Sequence, residues 1–450
     1  MSELQKSRTG CILIQNGRIL DPSQEMDCEG DVLIEGDTIH AIEPPGRIPK
    51  DRAQKVVDAK GAWVIPGLID LHVHLREPGL EYKETIRTGT QAAVAGGFTS
   101  VACMANTMPV NDNPFVTAYI REKAKNEGVC RVFPVGAVSK GLKGEELAEI
   151  GGMISEGARA ISDDGMPVMN SYLMRKAMDY AKAFGVPVIS HAEDWNLVGQ
   201  GVINEGILSN ELGLKGNPAA AEEIMVAREI SLCRLTRSRL HIAHVSTALA
   251  LKHIKQAKEE GLPVTAEVSP HHLTLTEECL HSYDTHFKMA PPLRTHHDVQ
   301  ALREALASGV IDIIATDHAP HGTIDKAVEF DCSANGILGL QTAVPVTLEL
   351  VHEKILSPLN WVRVLSLNPA RILGLPYGTL RVGSTADLTI VQPTQEWTLT
   401  EADILSKSRN TPFLGRRMKG EIQATIVGGK WVYSPKNLEV SKDVKTWQQD

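Results

Sequence analysis

Two histidines close an apolar run near residue 70. The stretch "GLIDLHVHLREPG", residues 67–79, places His72 and His74 two positions apart and follows them with Arg76 and Glu77. Residues i and i+2 of a β-strand project from the same face, so both imidazoles would point to one side. Paired neutral imidazoles are typical ligands of a divalent metal ion. The competing interpretation is two polar residues on the exposed face of an edge strand, because so short a motif matches by chance.

Other apolar runs also end in imidazoles or carboxylates. Asp163 and Asp164 end "ARAISDD", and single residues follow three further runs: His191 after "PVIS", His244 after "LHIA" and Asp317 after "IDIIAT". Each has an ordinary explanation alone, as a hydrogen-bonded histidine, a turn or a helix cap. Taken together they predict a metal centre, because imidazole and carboxylate are the ligands that catalytic divalent metals use.

The elements that would position these residues follow a regular alternation. Eight short apolar runs between residues 69 and 318 are separated by amphipathic segments such as "SYLMRKAMDYAKAFG" and "TALALKHIKQAKEEG". Eight β/α units predict a (β/α)8 barrel, in which active sites lie at the carboxyl ends of the strands. An open doubly wound sheet is the alternative, but no GxGxxG follows any of the runs.

Both ends of the chain have a different sequence pattern, in which short predicted strands are joined by turn-forming residue pairs. The turn-forming pairs are Asn16-Gly17 and Gly36-Asp37 near the start of the chain and Gly428-Gly429 near its end. The sequence therefore predicts an α/β protein: a (β/α)8 TIM barrel over 65–372, with a small discontinuous β-sandwich domain formed by residues 1–64 and 373–450 of the two termini.

Composition narrows the class of protein. The 450 residues are 42% hydrophobic and 22% charged with a net charge of −9, which argues against a nucleic-acid binder. Seven cysteines without a CxxC pair, behind an opening "MSELQKSRTG" that has no apolar signal core, indicate reduced thiols and a cytoplasmic location. No apolar run reaches the roughly 18 residues of a membrane span, so we expect no membrane association.

Several longer stretches of the sequence resemble the motifs of a known protein family. The stretches "DLHVHLREPG", "GGFTSVACMANT", "ISDDG", "AEVSPHHL", "FKMAPPLR" and "ATDHAPH" resemble the dihydroorotases of the metal-dependent amidohydrolase superfamily, in the bacterial class often found with aspartate carbamoyltransferase. The resemblance includes "TADLTIV", "NTPFLG" and "TIVGGK" and covers almost the whole chain.

The resemblance implies a set of metal ligands. His72, His74 and Asp317 would bind one zinc ion, and His191 and His244 a second. The superfamily bridges its metals with a carboxylated lysine on strand four, but "GARAISDDG" has none. In the resembling class an aspartate, here Asp164, takes that place, and Asp163 would face away because adjacent strand side chains alternate. The implied cofactor is Zn²⁺, one or two ions per subunit.

The same resemblance implies how a substrate would be held. Arg76, Asn106 and His321 would bind its carboxylate, a role that suits the bidentate guanidinium fork. Taken alone, Arg76 could equally form a surface salt bridge with Glu77. Ala290 stands where the family often has asparagine, which would remove a hydrogen bond of about 1 kcal/mol. His271 and His272 match as well and are assigned structural roles.

The implied reaction is the reversible, zinc-dependent hydrolysis of dihydroorotate to N-carbamoyl-L-aspartate, with Asp317 as the catalytic residue that moves the proton. A small-molecule substrate and a homodimer are expected, and association with aspartate carbamoyltransferase is a further expectation.

Two alternatives stay open. One is another cyclic amidohydrolase, namely a hydantoinase, dihydropyrimidinase or allantoinase; Arg76 and the missing lysine argue against it. The other is a non-catalytic subunit that supports aspartate carbamoyltransferase. The six filled ligand positions argue against that.

Overall fold

A computed structural model describes residues 10–435 of the chain. Two sets of residues covered by the sequence predictions lie outside this range: residues 1–9, and residues 436–450 of the predicted terminal domain. Five strands come first: β1 (Cys11–Asp21), β2 (Met26–Glu35), β3 (Thr38–Glu43), β4 (Lys55–Asp58) and β5 (Trp63–Pro66). The central strands follow: β6 (Leu68–Val73), β7 (Phe98–Cys103), β8 (Arg131–Gly136), β9 (Ala160–Ser162), β10 (Val188–Ser190), β11 (Ile203–Asn204), β12 (Gly216–Asn217), β13 (Leu240–Ile242), β14 (Val264–Val268) and β15 (Ile313–Ile314). The last strands are β16 (Leu388–Thr398), β17 (Arg417–Val427) and β18 (Lys430–Tyr433).

Helices fill the intervals between the central strands. The α-helices described are α1 (Ile86–Ala95), α2 (Pro114–Glu127), α3 (Ile150–Ser155), α4 (Ser171–Lys182), α5 (Trp195–Val198), α6 (Ile207–Leu212), α7 (Ala219–Thr236), α8 (Ala248–Glu259), α9 (His296–Ala307), α10 (Thr323–Lys326), α11 (Ala343–His352), α12 (Pro358–Val362) and α13 (Asn368–Leu373). Short 3₁₀ turns occupy Lys50–Arg52, Lys140–Leu142, Glu277–Ser282, Thr285–Phe287 and Glu401–Asp403, and a π-helical turn occupies Arg363–Leu367.

Eight of the central strands form a parallel sheet that nearly closes into a barrel. Their order is β6-β7-β8-β9-β10-β13-β14-β15, and every pairing along it is parallel. The two edges meet where Val73 forms a bridge with His318 and the His74 amide donates to the His318 carbonyl at 2.9 Å. The predicted α/β barrel is confirmed, and the doubly wound alternative is wrong.

Helix starts are encoded locally. Asn113 caps α2 by accepting from the amides of Phe115 and Val116, and Pro114 takes the first helical position, where no amide hydrogen is needed. Thr295 and Asp298 form a reciprocal capping box at the start of α9. These caps satisfy backbone donors that the helix itself cannot satisfy, so each helix begins at a defined residue.

The main hydrophobic core lies between the barrel strands and their helices. It joins strand residues such as Val101 and Ile242 to helix residues such as Ile120, Ile254 and Leu348, all of which are buried. Burial of such side chains stabilises the fold by about 1.5–3 kcal/mol each. The strand ends are therefore held in place by packing on the outside of the barrel.

The two chain ends build one common sheet. Its order is β18-β17-β16-β5-β1-β2-β3, with β4 also paired to β1, and β5 joins β16 in antiparallel register. The far ends of this sheet meet, because a Cβ on Gly429 would lie only 1.8 Å from the carbonyl oxygen of Gly36. The sheet thus folds over on itself around a cluster that includes Ile34 and Ile426. The domain limits at 64/65 and 372/373 stay a prediction, and β5 crosses the first of them.

Residues 10–435 include all seven cysteines and contain no disulfide bond, and Cys11, Cys103, Cys130 and Cys233 are buried. Among the helices described between residues 10 and 435, none combines the length and the apolar character that a bilayer span requires.

Candidate metal centre

The six side chains implied as ligands meet at the carboxyl end of the barrel. His72 lies in β6 and His74 just after it; the others lie within three residues of the ends of four further strands, namely Asp164 after β9, His191 after β10, His244 after β13 and Asp317 after β15. All six are buried. The parallel direction of the strands brings these residues together, although up to 245 positions, from His72 to Asp317, separate them along the chain.

Asp164 lies at the centre of this group. Its Oδ1 is 3.3 Å from Nε2 of His72, 3.4 Å from Nε2 of His244 and 3.7 Å from Nδ1 of His191. Its Oδ2 is 3.4 Å from Nε2 of His74. Two sets of potential ligand atoms, each within 4.8 Å of one another, therefore share this one carboxylate: His72, His74 and Asp164, and Asp164, His191 and His244.

The neighbouring Asp163 has a different role. Its carboxylate accepts hydrogen bonds from the backbone amides of Val138 and Ser139, at 2.7 and 3.0 Å, and from the Ser139 hydroxyl. It thus ties the end of β9 to the loop after β8, and among Asp163 and Asp164 only the latter reaches the four imidazoles.

Asp317 completes the group from the other side. Its Oδ1 lies 3.0 Å from Nε2 of His74 and 3.5 Å from Nε2 of His72. Burial raises the pKa of this carboxyl, but the adjacent His72 and His74 imidazoles outweigh it and hold the pKa below its usual range. Asp317 is therefore a carboxylate at neutral pH and can accept a proton.

Several atoms in the group lack protein partners. His72 Nε2, Asp164 Oδ1 and His191 Nδ1 are buried, and none of them makes a hydrogen bond within the described part of the chain. Buried polar atoms are nearly always hydrogen-bonded, so three such atoms within one cluster indicate a binding site for a ligand. Imidazole nitrogen and carboxylate oxygen are suitable donors for a divalent cation, and the residues fit that ion.

A second layer of carboxylates orients the imidazoles. Glu267 Oε1 lies 2.6 Å from Nδ1 of His72 and its Oε2 lies 3.0 Å from Nε2 of His241. Glu193 Oε2 lies 2.8 Å from Nε2 of His191, while its Oε1 accepts from Asn217. Such contacts fix the tautomer and direction of a ligand histidine.

These carboxylates also set the electrostatics of the centre. Burial opposes the charge of Glu193 and Glu267, but their histidine partners outweigh it and lower both pKa values to about 2. Burial likewise lowers the pKa of His191, but Asp164 and Glu193 raise it to about 10. Four buried carboxylates lie among these imidazoles, and a bound cation would neutralise their negative charge in place of protons on the histidines.

The sequence interpretation did not identify these two glutamates. Glu193 is two positions beyond His191, a spacing that could have suggested a residue on the same side. Glu267 lies on β14, for which no ligand was predicted, and no local spacing marks it.

Arg76 and His321 face each other beside the metal centre. The Arg76 Nη2 lies 3.3 Å from His321 Nε2, and its Nε donates to the Pro320 carbonyl at 3.2 Å. Glu77, the alternative partner of Arg76, instead accepts from the Ile86 amide and pairs with Lys123 at 3.3 Å. The alternative interpretation, a salt bridge between Arg76 and Glu77, is therefore wrong, and the guanidinium has no carboxylate partner within residues 10–435.

The remaining predicted contact residues lie nearby. Asn106 Oδ1 is 2.8 Å from Nδ1 of His74, so this residue contacts a proposed ligand as well as the cavity. Burial, with Arg76 and Lys83 beside it, lowers the pKa of His321 to about 2 and keeps its ring neutral. All of them open onto a cavity of about 830 Å³, which Ala290 also lines.

Three residues of this site hold left-handed backbone conformations. The φ angles are 62° at Arg76, 29° at His244 and 49° at Asp317. For residues other than glycine this conformation costs about 1–3 kcal/mol, and it persists only where the surrounding structure enforces it. The fold thus places strain at the residues that face the cavity.

His271 and His272 lie behind the site. The ring of His272 is fixed by Ser269 Oγ at 2.7 Å and the Pro291 carbonyl at 3.1 Å. Burial lowers the pKa of His271 to about 4, so this ring is neutral. The contacts of His272 agree with the structural role that the sequence suggested.

Comparison with protein families identifies two overlapping matches. A family described as dihydro-orotase-like matches residues 61–249, and one described as the amidohydrolase family matches residues 234–433. Together they span the barrel and the C-terminal strands.

Curated relatives and solved structures extend this result. The chain is 53% identical to a dihydroorotase of Syntrophobacter fumaroxidans over 424 residues, which cover 94% of this chain and 97% of that protein. It is 52% identical to a dihydroorotase of Geotalea daltonii over 422 residues, 94% and 99% of the two chains. Its structure is similar to that of an L-hydantoinase (dihydropyrimidinase) from Arthrobacter aurescens, with a TM-score of 0.85, 25% identity, and coverage of 95% and 97%. A dihydropyrimidinase from Brevibacillus agri gives a TM-score of 0.82 at 26% identity, with coverage of 95% and 96%.

Proposed function

We infer that this chain, which belongs to the dihydroorotase family, is a metal-dependent dihydroorotase. It would interconvert dihydroorotate and N-carbamoyl-L-aspartate by opening and closing a cyclic amide. One structural observation supports this most directly: Arg76, which has no carboxylate partner among residues 10–435, lies beside a cluster of six metal-type ligands. The substrate combines the two matching features, a carboxylate and a hydrolysable ring amide.

We propose that His72, His74 and Asp317 hold one divalent ion and that His191 and His244 hold a second, with Asp164 between them. Zinc is the proposed ion, one or two per subunit. A bound divalent ion would polarise the ring carbonyl and lower the pKa of a water molecule to about 7.

Asp317 would move the proton in this reaction. Its carboxylate is ionised and adjoins both His72 and His74, so it can accept the proton of the attacking water. It would then deliver that proton to the ring nitrogen as the amide bond breaks. In the direction of ring closure the same residue would take the proton from that nitrogen.

Arg76, Asn106 and His321 would fix the orientation of the substrate. The guanidinium offers two parallel donors to a carboxylate, and the neutral His321 ring offers another. Holding the carboxylate at this end places the ring amide toward the ligand cluster, which converts binding into orientation for attack.

The structural neighbours favour a second candidate, a hydantoinase-type activity on cyclic amides that lack a carboxylate. The strand-four position has aspartate here where the superfamily has its carboxylated lysine, and Arg76 would have no anionic partner in such a substrate. Sequence identity of about half to dihydroorotases, against about a quarter to hydantoinases, also supports the first candidate.

One experiment tests the proposal. Purified protein is analysed for metal by elemental analysis and assayed in both directions with dihydroorotate, N-carbamoyl-aspartate, hydantoin and dihydrouracil. Metal-dependent turnover of the first two compounds is expected. Turnover of hydantoin or dihydrouracil alone would support the second candidate, and metal-bearing protein without any turnover would support the non-catalytic subunit.

The homodimer, the association with aspartate carbamoyltransferase and the cytoplasmic location stay predictions. Light scattering of the purified protein tests the first, co-purification tests the second, and cell fractionation tests the third.

A further inference from the structure

A segment of the terminal sheet reaches the substrate side of the barrel. Between β16 and β17 the chain leaves the sheet, and residues 406–411, here called the strap, lie against loops at the carboxyl end of the barrel. Ser406 Oγ donates to Glu84, and Ser408 Oγ donates to the Lys83 carbonyl at 2.6 Å. The strap therefore holds the loop that follows β6.

Asn410 of the strap makes three side-chain hydrogen bonds to a second loop. Its Nδ2 donates to the carbonyls of Ala319 and Gly336, at 2.9 and 3.0 Å, and its Oδ1 accepts from the His321 amide at 3.0 Å. Its own carbonyl accepts from the Leu338 amide at 2.9 Å. With 2% of its surface exposed, Asn410 has its amide fully engaged and makes no contact with the cavity.

These contacts close the base of the loop formed by residues 319–338. Its two ends approach so closely that a Cβ on Gly336, where φ is 123°, would lie 2.5 Å from the Ala319 Cβ. The Ala319 amide also donates to the Ile337 carbonyl at 2.8 Å. Asn410 thus locks together the two ends of the loop from which His321 projects.

The strap also controls the surroundings of the His321 ring. The ring lies between Arg76 Nη2 and Lys83 Nζ, each 3.3 Å from one ring nitrogen. Ser408 holds the Lys83 backbone, while Asn410 holds the His321 backbone. Misplacement of a binding group by about 1 Å can reduce turnover by about a hundredfold. The position of the His321 ring, which these two backbone contacts hold, is therefore important for a site that binds a carboxylate.

We propose that Asn410 is a positioning residue for the carboxylate-binding site: it fixes His321 opposite Arg76 and thereby sets the affinity for the substrate carboxylate. The inference rests on the proposed function, because it takes Arg76 and His321 to bind that carboxylate. Asn410 does not touch the substrate and acts through the His321 backbone.

The test compares Asn410→Ala with Asn368→Ala. Asn368 Nδ2 donates at 2.8 Å to the carbonyl of Asp312, which lies just before β15. The Asn368→Ala variant therefore loses an amide hydrogen bond at the start of β15, whereas Asn410 holds the loop that follows the end of that strand. Each variant is measured for KM and kcat with dihydroorotate, for metal content, and for hydrogen exchange of the 319–338 segment. The Kd of orotate, a ring analogue with the same carboxylate, is measured by calorimetry.

For Asn410→Ala we expect faster exchange in 319–338, wild-type metal content, and KM and orotate Kd raised about tenfold, equivalent to about 1.4 kcal/mol. The kcat should change much less, and Asn368→Ala should keep both constants at the wild-type level. If Asn410→Ala does not fold, Asn410→Asp takes its place: it keeps the acceptor for the His321 amide but loses both donors, and an increase in the same two constants is expected.

Unchanged KM and orotate Kd in a folded variant would overturn the inference, and so would a loss of activity that merely parallels a loss of metal. Failure of the proposed function gives a different result. A wild-type protein that binds orotate but does not turn over dihydroorotate would refute the dihydroorotase activity, while the orotate Kd of the variants would still decide the role of Asn410.

Discussion

The carboxylate of Asp317 lies 3.0 Å from the Nε2 atom of His74, across the point where the last strand of the barrel meets the first. The backbone supports this contact, since the His74 amide also donates to the carbonyl of His318. The closure of the barrel and the placement of the proposed proton-transfer residue therefore depend on the same few atoms.

Replacing Asp317 with asparagine should lower kcat at least about a hundredfold, the lower limit for the loss of a general base. The substitution keeps the volume of the side chain and removes its ability to hold a proton. Steady-state kinetics in both directions measure this, and circular dichroism checks the fold. Asp179→Asn, which removes an exposed carboxylate of α4 that pairs with Arg175 at 3.6 Å, serves as the control for charge removal. Turnover within a few-fold of wild type in Asp317→Asn would contradict the assigned role.

The variants Asp164→Asn and Asp163→Asn should distinguish the roles of two adjacent carboxylates, one in metal binding and the other in stability. Asp164 contacts all four imidazoles, so its loss should remove most of the bound metal. Asp163 instead receives hydrogen bonds from the loop after β8, so its loss should lower the free energy of unfolding by about 1–3 kcal/mol and leave metal content unchanged. Elemental analysis and urea unfolding measure the two effects, and equal metal content in both variants would refute the distinction.

Glu193→Gln and Glu267→Gln should each weaken metal binding by about 10–100-fold, because these residues orient His191 and His72. Competition with a chromophoric chelator gives the affinity. Glu222→Gln is the matched control, since Glu222 is equally buried but accepts hydrogen bonds from Ser246 and Thr247 at the start of α8. It should lose stability and keep its metal affinity. A similar affinity loss in all three variants would indicate general damage.

Ala290→Asn should improve substrate binding. Ala290 lines the cavity, and an amide at this position could add one hydrogen bond, of about 1 kcal/mol, which corresponds to a KM several-fold lower. The KM for dihydroorotate and the Kd of orotate measure this, with uracil, which lacks the carboxylate, as the comparison ligand. An unchanged or higher KM would show that the cavity wall at Ala290 does not contact the substrate.

Removal of metal should destabilise the protein as well as inactivate it. Without a cation, the charges of the buried Asp164 and Asp317 carboxylates would be offset only by protons on the surrounding histidines. Ligand linkage predicts about 2.7 kcal/mol of stabilisation at a free metal concentration one hundred times the Kd. Thermal melts before and after chelation, and after restoring zinc, measure the shift. A Tm that does not respond to chelation, in protein shown to have lost its metal, would contradict the proposed centre.

The sequence predicted most of the barrel because its signals are local and repeated. Each apolar run followed by an amphipathic segment identifies one β/α unit, and eight of them leave few alternatives to a closed parallel barrel. The same rule predicted where the six candidate ligands lie, since parallel strands present their carboxyl ends at one edge. These residues are His72, His74, Asp164, His191, His244 and Asp317. Between the two neighbouring aspartates, the family resemblance selected Asp164, and strand alternation then placed Asp163 on the other face.

The tertiary structure decided which residues surround that group. Glu267 and Asn410 come from segments with no fixed spacing to the histidines they support, so their roles depend on how separate loops and strands pack. Arg76 and Glu77 are adjacent in sequence, yet their side chains find partners in different loops. Sequence by itself determined the repeating elements and the ligand types, because periodicity and residue chemistry are properties of short segments. Only the folded chain fixed the orientation of the imidazoles, the absence of a carboxylate partner for Arg76 among residues 10–435 and the anchorage of His321, because each depends on contacts between residues far apart along the chain.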